Sequence, residues 1–269
     1  MVASAKLHKA QKTLEKMLPY EKRLRDILLD LLSVENKGGI KCFSSTNGDV
    51  SKVALLCVSS DSSLCGAFNS SVAKKTVETI EEYRKAGVKD IVVYSVGRKI
   101  REALKGKDFI SLEDRTSLCS KRNYSEASAL AKELTEAFKN RGFDRIELIY
   151  SHFKSIATQS IVREVFLPFD ELSFSRKESK NAKDPSVPYI LEPDIEGLMS
   201  RLIPEYLNMK LYSVLSDAAA AEHAARTVAM QTATDNGEDL LQELTLEYNK
   251  GRQEKITDEL LDMIGGSIK

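Results

Sequence analysis

The chain has no surplus of either charge sign: 40 lysines and arginines stand against 40 acids in 269 residues. That balance argues against a dedicated nucleic-acid binder, which needs a net basic footprint. Histidine is scarce, with three in all. The four cysteines, Cys42, Cys57, Cys65 and Cys119, form no C-x-x-C pair. A zinc pattern is therefore missing, and reduced thiols are the expected state in a chain this large. Long apolar runs are missing too. The longest, "VALLCV", falls far short of the roughly 20 residues of a membrane helix, and no signal peptide opens the chain.

Catalytic signatures are also absent. There is no P-loop, no G-x-G-x-x-G and no G-x-S-x-G elbow, and the glycine of "LCGAFN" is solitary. Cys65 follows a strand and precedes a helix, a position that can lower a thiol pKa. No base accompanies it, so it reads as a buried structural thiol. His152 and His223 read as packing or hydrogen-bonding residues. With no site visible, no cofactor is expected, and an enzyme acting on small molecules is the weakest reading.

What is present is periodicity. Hydrophobic residues make up 42% of the chain, enough for a core. Leu7, Ala10, Leu14, Met17, Glu21, Leu24, Leu28 and Leu31 alternate three and four apart, a coiled-coil seam broken only by Glu21. Pro19 should kink this helix modestly, and "NKGG" should end it. From Val53 to about Phe169 the grammar changes. "KVALLCVSS", "DIVVYSVG", "DRIELIYSHFKS" and "SIVREVFLPF" read as strands. "AFNSSVAKKTVETIEEYRKAG" and "YSEASALAKELTEAFKNRG" read as helices. The alternation predicts a three-layer α/β unit with a mainly parallel sheet. A polar, proline-bearing loop follows, then "ILEPDIEGLMSRLIPEYL".

From Glu205 to Ile264 no proline occurs, so roughly 60 residues can run as one helix of about 90 Å. Leu207, Leu211, Val214, Ala218, Ala221, Ala225 and Val228 form a second seam, which loses register at Thr232 and Asp235. The simplest packing is an antiparallel coiled coil of both termini. Alanines let the partner helix come close, and the rod meets something else beyond its reach. On pattern alone, a coiled-coil adaptor with an α/β interaction domain fits equally.

The end of the chain narrows the choice. "AEHAARTVAMQTATDNGEDLLQELTLEYNKGRQEKITDELLDMIGG" resembles the C-terminal signature of the γ subunit of F-type ATP synthase. "MVASAKLHKAQ", "SSDSSLCGAFN" and "EPDIEGLMSRLIPEYL" resemble other family segments, so the similarity runs end to end. Ser63 stands where the family usually has glycine. Gly251 replaces a common alanine, which should weaken the helix by roughly 1 kcal/mol.

The resemblance implies a central rotor shaft without a catalytic site of its own. The fold it implies is an antiparallel coiled coil plus a Rossmann-like three-layer α/β domain. The expected divisions are a coiled-coil helix over 1–40, the α/β domain over 50–170, a linker over 171–192 and a second coiled-coil helix over 193–269. The implied partners are the α and β subunits, the ε subunit and the c-subunit ring, with no nucleic acid and membrane association only through the complex. Arg252, Gln253 and Thr257 match positions that touch the β subunit. Leu64, Cys65, Gly66 and Asn69 are assigned to the foot, against ε or the c ring. No thiol-switch insertion like that of plastid relatives is present, so a bacterial protein at the cytoplasmic face of the inner membrane is expected. Family members usually carry about two dozen residues before the match to "MVASAKL", so Met1 is expected to be a truncated or misassigned start.

Overall fold

A computed structural model describes residues 2–34, 50–106, 111–120, 123–168, 191–192 and 194–266. The "NKGG" terminator, Cys42 and nearly all of the linker lie outside the described residues. The chain divides into two compact units, Met1–Thr227 and Val228–Lys269.

Helix α1 spans Val2–Val34 and runs through Pro19. Leu7, Leu14, Met17, Leu24, Leu28 and Leu31 are all buried, so the seam is the face α1 packs inward. Strand β1 (Lys52–Val58) is followed by α2 (Phe68–Lys85), β2 (Asp90–Val96), α3 (Arg98–Leu104), β3 (Ser111–Asp114), α4 (Ser117–Ser120), α5 (Tyr124–Lys139), β4 (Arg145–Phe153) and β5 (Gln159–Leu167). The sequence pattern assigned nothing between β2 and α5, because α3, β3 and α4 are too short to show a period. Local chemistry sets several ends. The Asn123 side chain accepts from the Glu126 N–H at 2.9 Å, capping α5. Gly87, at φ +88°, turns the chain after α2.

The sheet order is β3-β2-β1-β4-β5. β1 pairs in parallel with both β2 and β4, and β2 with β3. β5 pairs antiparallel with β4, which makes the sheet mixed. The reason is length: only residues 154–158 join β4 to β5, and a parallel return needs a crossover of a dozen or more. β1 is buried on both faces, which explains its unbroken apolar run. Val53, Leu55 and Cys57 pack with α2 and α3, and Ala54, Leu56 and Val58 with α1, α5 and the C-terminal helix. Full burial pushes the Cys57 thiol up to about 12, making it inert.

On the α2 side, buried Glu147 accepts from Tyr83 Oη at 2.6 Å and pairs with Arg163 Nε at 2.6 Å and Arg145 Nε at 2.8 Å. Arg163 also reaches Glu82 at 2.5 Å, tying α2 to the antiparallel edge. Gly97, at φ +97°, begins α3 against the end of β1. A Cβ there would lie 2.4 Å from the Ser59 carbonyl oxygen, a backbone atom that cannot swing away. Gly97→Ala should therefore cost about 2 kcal/mol of unfolding free energy. Urea titration of the purified chain checks this, and a change within about 0.5 kcal/mol, the range of an inert surface site, would refute it.

Helix α6 spans Ile195–Gly266, 72 residues, starting ten residues before the proline-free stretch and running through Pro204. The Asp194 carboxylate caps it by accepting from the Gly197 N–H at 3.0 Å. Gly251 does not interrupt it, and no atom lies within 4 Å of where its Cβ would be.

Candidate functional site

Between Leu211 and Ala224, α6 is buried on nearly every side, which a single coiled-coil seam cannot achieve. On one flank α1 packs antiparallel to it. Tyr20 Oη donates to Glu205 Oε1 at 2.9 Å, and Leu24, Leu28 and Leu31 share a cluster with Met199, Ile203 and Leu207. On another flank, Ala221 and Ala225 pack against Cys65, Phe68 and Phe153. The alanines thus let α6 approach the α/β domain as well as a helix, and the seam assigned wholly to α1 is shared between two surfaces.

The contact falls at the C-terminal ends of β1 and β4. In a doubly wound sheet this is the switch point where ligands usually bind. Here α6 fills the crevice with its own side chains. Among the described residues no group of His, Cys, Asp or Glu could hold a metal ion.

Apolar packing of this kind is non-directional, and an alanine face can slide or rotate. Three polar contacts remove that freedom. The first is at Lys210, whose Nζ lies 3.3 Å from Glu21 on α1 and 3.3 Å from Glu164 on β5. Glu21, the one polar residue in the α1 seam, is buried for this contact. Burial alone would lower the Lys210 pKa, but Glu164 and Glu21 outweigh it and hold the ammonium charged well above its ordinary range. The second is at Asp217, where Oδ2 lies 2.6 Å from His152 Nδ1 and Oδ1 accepts from the Phe153 N–H at 3.0 Å. The third is Arg226, which pairs with Glu222 at 2.7 Å and donates to Ser62 Oγ at 2.8 Å. Together they tie α6 to α1, β4, β5 and the loop after β1. Each was missed in the sequence, because a lysine, an aspartate and an arginine in a helix read as surface residues.

Asp217 carries a pH signature. Burial raises its pKa above the ordinary carboxylate value, against the opposing effects of His152 and the Phe153 N–H. An acid with a raised folded pKa holds its proton more tightly folded than unfolded. Its contribution is favourable at low pH and is lost as pH rises from the ordinary carboxylate range through the raised value. The unfolding free energy of the wild type relative to Asp217→Asn should fall across that window and level off above it. Urea denaturation at stepped pH reads the difference, and a flat difference would disprove the assignment.

The expected foot residues separate into two kinds. Cys65 is buried, with its Sγ 3.1 Å from Asn69 Nδ2, and Asn69 Oδ1 accepts from the Ser60 N–H at 3.0 Å. Both build the loop from within. Leu64 is 70% exposed at φ +66°, and Gly66 follows at φ +56°. The left-handed positions of this turn are thus Leu64 and Gly66, so Ser63 needs no glycine. Arg252, Gln253 and Thr257 all lie on the exposed stretch of α6, where the Thr257 hydroxyl donates to the Gln253 carbonyl at 2.8 Å. In the unit Val228–Lys269 every described side chain from Met230 onward is exposed, including Leu241, Leu244, Tyr248, Ile256 and Leu260.

A sheet crevice filled by a helix of the same chain, held there by polar contacts on three elements, defines a class of α/β protein built around its own C-terminal helix. Comparison with known proteins makes the class particular. The family model described as ATP synthase matches residues 1–268. The ATP synthase gamma chain of Phocaeicola vulgatus is 45% identical over 268 residues, covering 100% of this chain and 91% of the relative. That of Bacteroides fragilis is 46% identical over the same length, again covering 100% and 91%. The chain belongs to the ATP synthase gamma family. Among solved structures, a chain of the Tetrahymena thermophila mitochondrial ATP synthase central stalk and c ring aligns with a TM-score of 0.56 at 21% identity, covering 87% of this chain and 100% of that one. A chain of the Euglena gracilis mitochondrial ATP synthase aligns with a TM-score of 0.56 at 18% identity, covering 97% and 93%. At these identities the likeness speaks to the fold.

Proposed function

We propose that this chain is the central rotor shaft of an F-type ATP synthase. Family membership brings the role. The physical observation that carries it is the contrast within α6, where residues 210–226 are held by directional contacts and 230–265 are bare. Torque can pass through a shaft only if its helix cannot turn within its mount, and the contacts at Lys210, Asp217 and Arg226 resist that turning. The bare stretch faces the α and β subunits of the catalytic hexamer. It carries apolar side chains on several sides without one broad seam, so it can meet successive subunits without being gripped by any.

Rotation of the c ring, driven by proton flow, turns the shaft. Coupling to ATP synthesis then requires only that the shaft favour different β conformations at different angles, through differential contact energy. Arg252, Gln253 and Thr257 engage β. At the foot, Leu64 is the side chain free to meet ε or the c ring, with Cys65, Gly66 and Asn69 setting its position. The chain contributes no catalytic group. Among the described residues no helix is long and apolar enough to cross a membrane. Its place is peripheral, at the cytoplasmic face of the bacterial inner membrane, held there by its partners. Affinity purification through a tag on this chain should recover α and β subunits with ATPase activity. Recovery of the chain alone, or with unrelated partners, would favour an adaptor.

A further inference from the structure

Helix α1 is continuous through Pro19, yet its two halves are held in different ways. Beyond the proline, Leu24, Leu28 and Leu31 belong to the same core as Leu56, Leu148 and Met199. Before it, Leu7, Leu14 and Met17 are buried but share no core cluster with the sheet. Polar contacts divide at the same place. Tyr20 and Glu21 reach Glu205 and Lys210 on α6. Among the described residues no hydrogen bond or ion pair ties residues 2–18 to another element, and the Thr13 hydroxyl donates to the Lys9 carbonyl of its own helix at 3.0 Å.

The first half is also a poor helix by itself. Its first turn carries no acid to complement the helix dipole. Lys6, Lys9, Lys12 and Lys16 stand three or four apart, where like charges repel, and only Glu15 opposes them. Pro19 lacks the N–H that would bond the Glu15 carbonyl, so the two halves meet at a turn with one hydrogen bond missing. Both residues are exposed, so water satisfies that carbonyl whether the halves lie in line or bend.

We propose that residues 2–18 form a strap hinged at Pro19, which opens from α6 as one unit while the rest of the chain stays folded. The ties that lock α6 do not depend on it. Glu21 lies beyond the hinge, and Asp217 and Arg226 are held by β4 and the loop after β1. Opening bares the flank of α6 around Tyr212, which lines one groove with Lys16 and Met17. In a turning shaft, this lets one flank yield to a passing subunit without loosening the mount. That role rests on the rotor reading; the hinge does not. Simple fraying of a chain end would loosen α1 gradually, whereas a hinged unit opens with one free energy up to its boundary.

Hydrogen exchange of the purified chain, read amide by amide, tests the hinge. Amides of residues 6–17 should exchange at least tenfold faster than those of 23–32, with one shared opening constant and a step at Pro19. Pro19→Ala restores the missing bond and should slow the first group several-fold, leaving the second unchanged. Equal protection in the two halves, a smooth gradient from the start of α1, or no response to Pro19→Ala would overturn the proposal. In the intact complex purified through this chain the step should persist. Full protection of 6–17 there would overturn the role in the turning shaft. If α and β subunits do not copurify, the rotor reading itself fails, which is a separate outcome.

Discussion

Lys210→Met should lower the unfolding free energy of the purified chain by about 4 kcal/mol, because it takes the ammonium away from buried Glu21 and partly buried Glu164. For a chain of this size that corresponds to a fall in Tm of about 10 °C. The loss reflects stranded carboxylates more than a missing attraction. Adding Glu21→Gln and Glu164→Gln to Lys210→Met should therefore recover most of it, since removing a whole buried ionic group often costs little. Glu164 Oε1 lies 3.3 Å from the Lys210 ammonium, an ionic contact. The raised pKa of Lys210 sets the pH range. A base with an elevated folded pKa contributes fully below its unfolded pKa and loses that contribution only as pH climbs through the higher folded value. The effect of Lys210→Met should thus be constant through neutral pH and shrink in strong alkali, where the wild type loses the ammonium as well. A loss below about 1 kcal/mol, or a triple variant no better than the single one, would show that the network does not hold the joint.

Arg252→Ala with Gln253→Ala should produce the largest loss of function with almost no loss of stability. Both side chains are exposed, so the purified chain should unfold within about 0.5 kcal/mol of wild type. Arginine is among the residues most often found at interface hot spots, where truncation costs about 2 kcal/mol or more. Truncating both should reduce coupled ATP synthesis, or the yield of assembled complex, by roughly tenfold or more. Thr257 shares a face with Gln253 but spends its hydroxyl on the helix backbone, so Thr257→Ala should have the smaller effect. Normal assembly and synthesis in the double variant would make this stretch a solvated polar patch.

The two predictions draw on opposite kinds of legibility. Arg252 and Gln253 could be named from the sequence because their surroundings are one helix, and their resemblance to the family is linear. Lys210 could not, because its meaning depends on Glu21 and Glu164, which lie on other elements. Glu21 did leave a trace as the single polar break in an apolar seam, though without a partner the break looked like a flaw. The alanine run was legible as a close-approach surface. Which surface approached it was not, since alanine admits a helix and a loop equally well.

By itself the sequence determined the long helices and the strands β1, β2, β4 and β5, that one face of α1 is buried, and which family the chain resembles. These follow from periods and end signals a few residues long, which depend little on the rest of the fold. The tertiary structure alone decided that β5 runs antiparallel, that α6 closes the sheet crevice, and that its azimuth is set by polar contacts. Two of those contacts join partners 65 residues apart, His152 and Asp217, and 164 apart, Ser62 and Arg226. Pairings at that range carry no local signal. They exist only once the layers have stacked, and the stacking order selects which exposed-looking charges become buried.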